Sequence, residues 1–78
     1  MYWEDKIVCN PKILLGKPTI KGTRLSVAFI LERLADGWTE KMLYESYPRL
    51  TPADLQAIFA YASECMNEDF AFNRKNRR

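Results

Sequence analysis

Glycine and proline are concentrated in the first third of this chain, and their positions limit where helices can form. Residues 16–25, GKPTIKGTRL, hold two of the three glycines and one of the four prolines, which disfavours a helix there. Short apolar runs stand at 7–8 and 13–15, and Asn10-Pro11 between them marks a turn. We therefore expect residues 1–25 to form a β arm of short strands and turns. Strands this short must pack on helices or pair with another chain.

Two amphipathic helices are predicted after the arm. Ser26 stands at the N-cap position of the first helix, at about 26–36, whose apolar residues recur at i, i+3, i+4 and i+7 and which Gly37 can end. Thr39 caps a second helix of about two turns. Pro48 ends that helix, because the residue before a proline is pushed out of the α region.

A third helix is predicted from Thr51-Pro52 to about residue 67. This pair supplies a cap and then a proline at the first helical position, and Asp54 is placed to complete a capping arrangement. A long apolar stripe follows, and it includes Cys65, which we expect in the core. A short helix, a tight turn and a longer helix form a helix-turn-helix. The expected fold is mainly α.

The sequence predicts one domain over residues 1–73. It consists of the β arm, 1–25, and a three-helix core, 26–67; a disordered basic tail, 74–78, follows. No apolar run approaches the roughly 18 residues that span a membrane. The start, MYWEDK, carries acids where a signal peptide carries bases, so we expect a cytoplasmic protein.

The residue types present exclude much catalytic chemistry. The chain has no histidine and only two cysteines, so it can form neither a His-based dyad nor a structural zinc site alone. Cys9 and Cys65 are interpreted as reduced thiols. No glycine-rich nucleotide loop occurs, and the 10 acidic residues are scattered over polar helix positions. We expect a protein that is not an enzyme and has no catalytic residue, metal or cofactor.

Motifs between residues 7 and 62 point to a known family. The most specific stretch is 16–27, GKPTIKGTRLSV; the others are Asn10-Pro11, Ala35-Asp36-Gly37, Tyr47-Pro48-Arg49-Leu50-Thr51, Asp54-Leu55 and Tyr61-Ala62. With these motifs the chain resembles domain of unknown function 433. It departs from that pattern at Leu15, where a second glycine is usual, and at Lys41-Met42, where an acidic-hydrophobic pair is common. The resemblance implies a homeodomain-like, often dimeric core with an N-terminal β arm. It also implies a VapB-like antitoxin encoded beside a PIN-type ribonuclease toxin.

Two functions are compatible with the predicted helix-turn-helix. Such a motif reads double-stranded DNA with side chains near the start of its second helix, which here offers Arg49, Thr51 and Gln56, although Asp54 would repel phosphate. The first expectation is therefore a DNA-binding antitoxin or repressor that regulates its own operon. The basic tail would add charge through Arg74, Lys75, Arg77 and Arg78. The alternative is a protein-protein interaction module without DNA binding, which an acidic surface at the start of helix three would favour.

The arm holds a second group of candidate DNA contacts, Lys17, Lys21 and Arg24, which could follow a phosphate backbone. Arg24 has two open interpretations, since a guanidinium pairs equally well with carboxylate or phosphate. It either ties the arm to a helix carboxylate as a buried pair or contacts phosphate from an exposed position. The tightly packed turn suggested by Gly22 favours the tie.

A homodimer is also expected. The arm strands have few partners within one chain, and a chain this small cannot bury every aromatic side chain by itself. The residues assigned to a dimer or partner interface are Ile7, Val8, Ile13, Leu15, Phe70 and Phe72.

Overall fold

The structure, a computed structural model, describes the backbone of residues 3–77 and the side chains of residues 3–67. Its regular elements are β1 (Ile7–Val8), β2 (Thr19–Ile20), α1 (Val27–Ala35), α2 (Glu40–Ser46) and α3 (Pro52–Arg77). A single helical turn, Trp3–Asp5, precedes β1, and a tight turn, Leu14–Gly16, precedes β2. The prediction of a mainly α domain with a small β arm is confirmed in this form.

The strands of the arm pair with each other and with the chain that leads into α1. β1 and β2 are antiparallel, with Ile7 opposite Ile20. On its other side, β2 meets the segment before α1: the Ile20 amide donates to the Leu25 carbonyl at 2.9 Å, and the Val27 amide to the Pro18 carbonyl at 2.9 Å. β2 therefore has neighbours on both sides within one chain, so its pairing gives no support to the predicted homodimer.

The predicted helix caps are confirmed. Ser26 Oγ accepts the Phe29 amide at 3.0 Å, and Thr39 Oγ1 accepts the Met42 amide at 3.2 Å. Gly37, at φ 96°, follows α1, and the next amide, that of Trp38, bonds back to the Arg33 carbonyl at 3.0 Å. This backbone hydrogen bond and the left-handed residue after the last helical turn together form a Schellman cap. Glycine is the residue most often found at that left-handed position.

The third helix begins with a reciprocal cap. The Asp54 amide donates to Thr51 Oγ1 and the Thr51 amide donates to Asp54 Oδ2, both at 3.1 Å. Asp54 is buried, and Lys6 Nζ lies 3.9 Å from its other oxygen. This carboxylate therefore caps the start of α3 and pairs with Lys6 of the arm. It is buried, whereas the sequence predicted it at a surface where it would repel phosphate.

The core lies between the arm and the three helices. Its buried apolar residues are Ile7, Ile20, Val27, Ile30, Leu43, Leu50, Leu55, Ala57 and Ile58. The turn before β1 closes one side, where Trp3 packs edge-on against Tyr61 with ring centroids 4.7 Å apart. The N-terminal turn thus depends on a side chain near the middle of α3.

Helix α3 is longer than the sequence pattern predicted. Its backbone continues to Arg77, whereas we expected an end near residue 67 and a disordered tail from 74. No glycine or proline, the residues that most strongly end a helix, follows Pro52.

Candidate functional site

The turn between α2 and α3 meets the end of the arm in an open cleft. Arg49 Nη1 donates a 2.7 Å hydrogen bond to the carbonyl of Gly22, although the arginine is exposed. Gly22 has a φ of 81°, so this turn uses the left-handed region that favours glycine. The turn cleft has a volume of about 600 Å³, and its lining residues are Ile13, Gly22, Thr23, Arg24, Leu25, Ser46, Tyr47, Pro48 and Arg49.

Thr23 fixes the turn that presents Arg24. Its hydroxyl donates to the Ile20 carbonyl at 2.8 Å and accepts the Leu25 amide at 3.0 Å. The Arg24 side chain is exposed, and it forms no ion pair with any residue in the range 3–67. The buried tie proposed for Arg24 is therefore wrong, and Arg49 joins the arm to the helices through a backbone carbonyl.

A second cleft adjoins the first, because Arg24 lines both. This arm cleft, about 390 Å³, lies between the turn at 14–16 and the start of α1, and it is lined by Leu14, Leu15, Lys17, Arg24, Ser26 and Phe29. We call Lys17, Arg24 and Arg49 the turn cations. All three are exposed, and among residues 3–67 no acidic side chain lines either cleft. The structure thus brings together three of the predicted DNA contacts.

The start of α3 carries a different surface. Gln56 and Phe59 are exposed there and share a cleft of about 410 Å³ with Glu40 and Tyr44, which we call the α3 cleft. Tyr44 Oη donates a hydrogen bond to Glu40 Oε1 at 3.4 Å. The pKa of this tyrosine is raised, chiefly by burial and then by the charge and the hydrogen bond of Glu40. The α3 cleft holds one acid, and no lysine or arginine of the described part of the chain lines it.

Of the other predicted contacts, Lys21 and Thr51 line neither the turn cleft nor the arm cleft. Lys21 is exposed. Thr51 is exposed, with its hydroxyl engaged in the cap of α3. The side chains of Arg74, Lys75 and Arg77, and the whole of Arg78, lie outside the described residues.

The residues predicted to form a dimer or partner interface differ in how exposed they are. Ile7 is only 4% exposed and belongs to the chain's own core, which leaves almost none of its side chain for a partner. Val8 and Ile13 are half-buried, whereas Leu15 is 92% exposed. The side chains of Phe70 and Phe72 lie beyond those described.

An apolar groove between α1 and α3 was not anticipated. It has a volume of about 340 Å³ and is lined by Pro18, Val27, Ala28, Leu31, Tyr61, Ala62, Cys65 and Met66. Cys65 is exposed, so its predicted place in the core is wrong. The pKa of Tyr61 is raised. The largest cause is burial, followed by the hydrogen bond to Cys65 and then by the charges of Cys65 and Cys9.

Neither a metal-binding cluster nor a membrane-spanning helix occurs among the described residues. Residues 3–67 contain no group of three or more cysteine, aspartate or glutamate side chains placed to hold a metal ion. No described helix has both the length and the apolar character needed to cross a bilayer.

The fold and its clefts define a small helical domain with a two-stranded sheet. Residues 7–62 match the family model described as protein of unknown function (DUF433), and the chain belongs to this family. A crystal structure of a DUF433 member protein from Anabaena variabilis is similar, with a TM-score of 0.74 and 28% sequence identity, covering 87% of this chain and 70% of that one. None of the curated proteins matches the chain.

Proposed function

We propose that this protein is a small DNA-binding regulator of the antitoxin or repressor class and that it has no enzymatic activity. In this proposal α2, the turn at 47–51 and α3 form a homeodomain-like helix-turn-helix. The observation that carries it is the grouping of the turn cations, Lys17, Arg24 and Arg49, along two adjoining clefts without an acidic lining residue in the described chain. A DNA backbone is a regular row of negative charges, and it is bound by cations placed in this way.

The turn cations suit phosphate because no acidic side chain of residues 3–67 pairs with them. Arg49 uses Nη1 on the Gly22 carbonyl, and the rest of its five-donor guanidinium can bind an anion. Each contact of this kind adds affinity and salt dependence without sequence preference.

Base recognition in this proposal comes from Gln56, whose exposed amide can pair with adenine. Because Glu40 shares its cleft and Thr51 Oγ1 is held by the helix cap, few groups here can read bases. We therefore propose that phosphate contacts supply most of the affinity. Autoregulation of an operon in the cytoplasm, and neutralisation of a PIN-type ribonuclease, are added to the proposal from the resemblance to this family.

A salt titration with the duplex upstream of the gene tests the DNA-binding proposal. Replacing both Lys17 and Arg24 by alanine should weaken binding and reduce the slope of log affinity against log salt by about two. Lys41→Ala is the matched control, because Lys41 is an exposed cation that lines neither the turn cleft nor the arm cleft. A wild-type protein that fails to bind at low salt, or a double variant with an unchanged slope, would contradict the proposal.

A protein interaction module is the second candidate, and the α3 cleft favours it. Phe59 is 45% exposed beside Glu40, which is an apolar and acidic surface suited to a protein partner. Phe59→Ser should then abolish co-purification with a PIN-type ribonuclease, whereas the wild type itself should not bind DNA. Met42→Ser changes an exposed residue outside this cleft and serves as the control. Retention of the ribonuclease by the Phe59 variant would remove this cleft as its binding site.

A further inference from the structure

Leu15 is the most exposed large apolar side chain among the described residues, and it lies on a backbone that suits glycine. It is 92% exposed, and Leu14, Leu15 and Gly16 have φ values of 51°, 58° and 85°. The left-handed region is unfavourable for leucine, and solvent exposure adds nothing to its stability. A glycine at position 15 would fit this turn without strain, so the leucine needs an explanation outside the folding of this chain.

The turn holds Leu15 in a fixed direction. The Gly16 amide donates to the Ile13 carbonyl at 3.1 Å, and the Lys17 amide donates to the Leu14 carbonyl at 3.2 Å. Pro11 packs against the turn, since a Cβ on Gly16 would come within 3.7 Å of the proline Cα. Leu15 is thus held at the tip of a closed turn.

Positive charge lies beside this tip. Lys17 and Arg24 line the same arm cleft as Leu15, and Arg49 lines the adjoining turn cleft. A partner that fits this arrangement has an apolar slot flanked by negative groups. Duplex DNA has this chemistry in its minor groove, where phosphates flank the base steps. The same cations carry the proposed DNA-binding function, so duplex DNA is the partner that fits both.

We propose that Leu15 is a wedge that enters the DNA minor groove and partly unstacks one base step, while Lys17 and Arg24 contact the flanking phosphates. Leucine is among the side chains that proteins insert in this way. The inference rests on the proposed DNA-binding function and specifies how the arm engages the duplex. It implies a preference for pyrimidine–purine steps such as TA, which unstack most easily.

The test uses a duplex with TA steps in which 2-aminopurine, a base that fluoresces when unstacked, replaces one adenine. Wild-type protein should raise the fluorescence and bring dyes at the two duplex ends closer together. Leu15→Gly should remove both signals and weaken binding about tenfold, as the burial of one leucine is lost. Its salt slope should stay unchanged, because every cation remains. Leu15→Met, which keeps a long apolar side chain, should retain the signals.

The outcomes separate the wedge from the DNA-binding function. If wild type binds the duplex without unstacking or bending it, or if Leu15→Gly keeps both signals, the wedge is wrong and DNA binding stands. If wild type does not bind DNA at all, both proposals fail. If Leu15→Gly instead changes the sedimentation of the free protein or its binding to anionic lipid vesicles while the DNA signals persist, Leu15 serves another partner and the wedge is overturned.

Discussion

Arg49 reaches across 27 positions of sequence to the carbonyl of Gly22, and this hydrogen bond joins the turn between α2 and α3 to the arm. The bond holds together the two turns that form the turn cleft. Arg24, two residues after Gly22, is exposed, so the two arginines of this cleft differ in their contacts within the chain. Their contributions to stability can therefore be distinguished by measurement.

Arg49→Ala should lower stability, whereas Arg24→Ala should not. Loss of an exposed charge-assisted bond should cost about 1 kcal/mol, which lowers the melting temperature of a domain this size by about 4–8 °C. Arg24→Ala should stay within about 0.5 kcal/mol of wild type, as surface changes usually do. Thermal melts of both variants measure this. Equal melting temperatures would show that the Arg49 bond adds nothing to stability.

The start of α3 should depend more on its cap than on its ion pair. Asp54→Ala removes both the acceptor of the Thr51 amide and the partner of Lys6, and should cost about 1–2 kcal/mol. Lys6→Ala breaks only a partly exposed pair at 3.9 Å and should cost between about 0 and 1 kcal/mol. Urea denaturation of both variants gives the contribution of the cap as the difference between the two losses. A larger loss for the lysine variant would mean that the ion pair dominates.

Alkaline pH should destabilise the fold in part through Tyr61. Burial raises the pKa of this tyrosine above its ordinary value of 10.0 in the folded chain. The unfolded chain therefore loses this proton first, so the contribution to stability is complete below pH 10.0 and is lost as the pH rises through the folded value. The melting temperature of Tyr61→Phe should fall less than that of wild type between pH 9 and about 11. An equal fall in melting temperature for Tyr61→Phe and wild type would refute the contribution of Tyr61.

A homodimer remains a prediction. The groove between α1 and α3 offers it a surface that the sequence did not predict, since Val8, Ile13 and Leu15 do not line it. Met66, 63% exposed, lines this groove. Sedimentation at micromolar concentration should give about twice the 9.1 kDa chain mass, and Met66→Glu should weaken the dimer at least about tenfold by burying a charge. Met42→Glu, at an exposed methionine outside the groove, is the control. A monomeric wild type would contradict the prediction.

The sequence was most informative where structure depends on neighbouring residues. Ser26, Thr39 and Thr51 cap the helices as predicted, because a cap needs only a side-chain oxygen and the amides of the next turn. Gly37 ends α1 for a similarly local reason. The backbone of α3 continues past the predicted end near residue 67, because the end of an apolar stripe breaks no helical hydrogen bond.

The candidate site depends on contacts that are distant in sequence, and there the prediction was less complete. The turn cations were each named, but their grouping around two clefts follows from how the arm folds against the helices. Nothing near Arg49 in sequence indicates that its partner is the Gly22 carbonyl. Leu15 was noted as a departure from glycine, and only its backbone angle shows why glycine is usual there.

The contact between Trp3 and Tyr61 also bears on how the protein is made. Synthesis proceeds from the N-terminus, so Trp3 leaves the ribosome long before its partner on α3 exists. Lys6 is likewise translated well before its partner, Asp54. The first turn therefore lacks its contacts with α3 until residues 54 and 61 have been translated, and it is open to proteases during that interval. We infer that the core of this domain closes only after the first turns of α3 have been made.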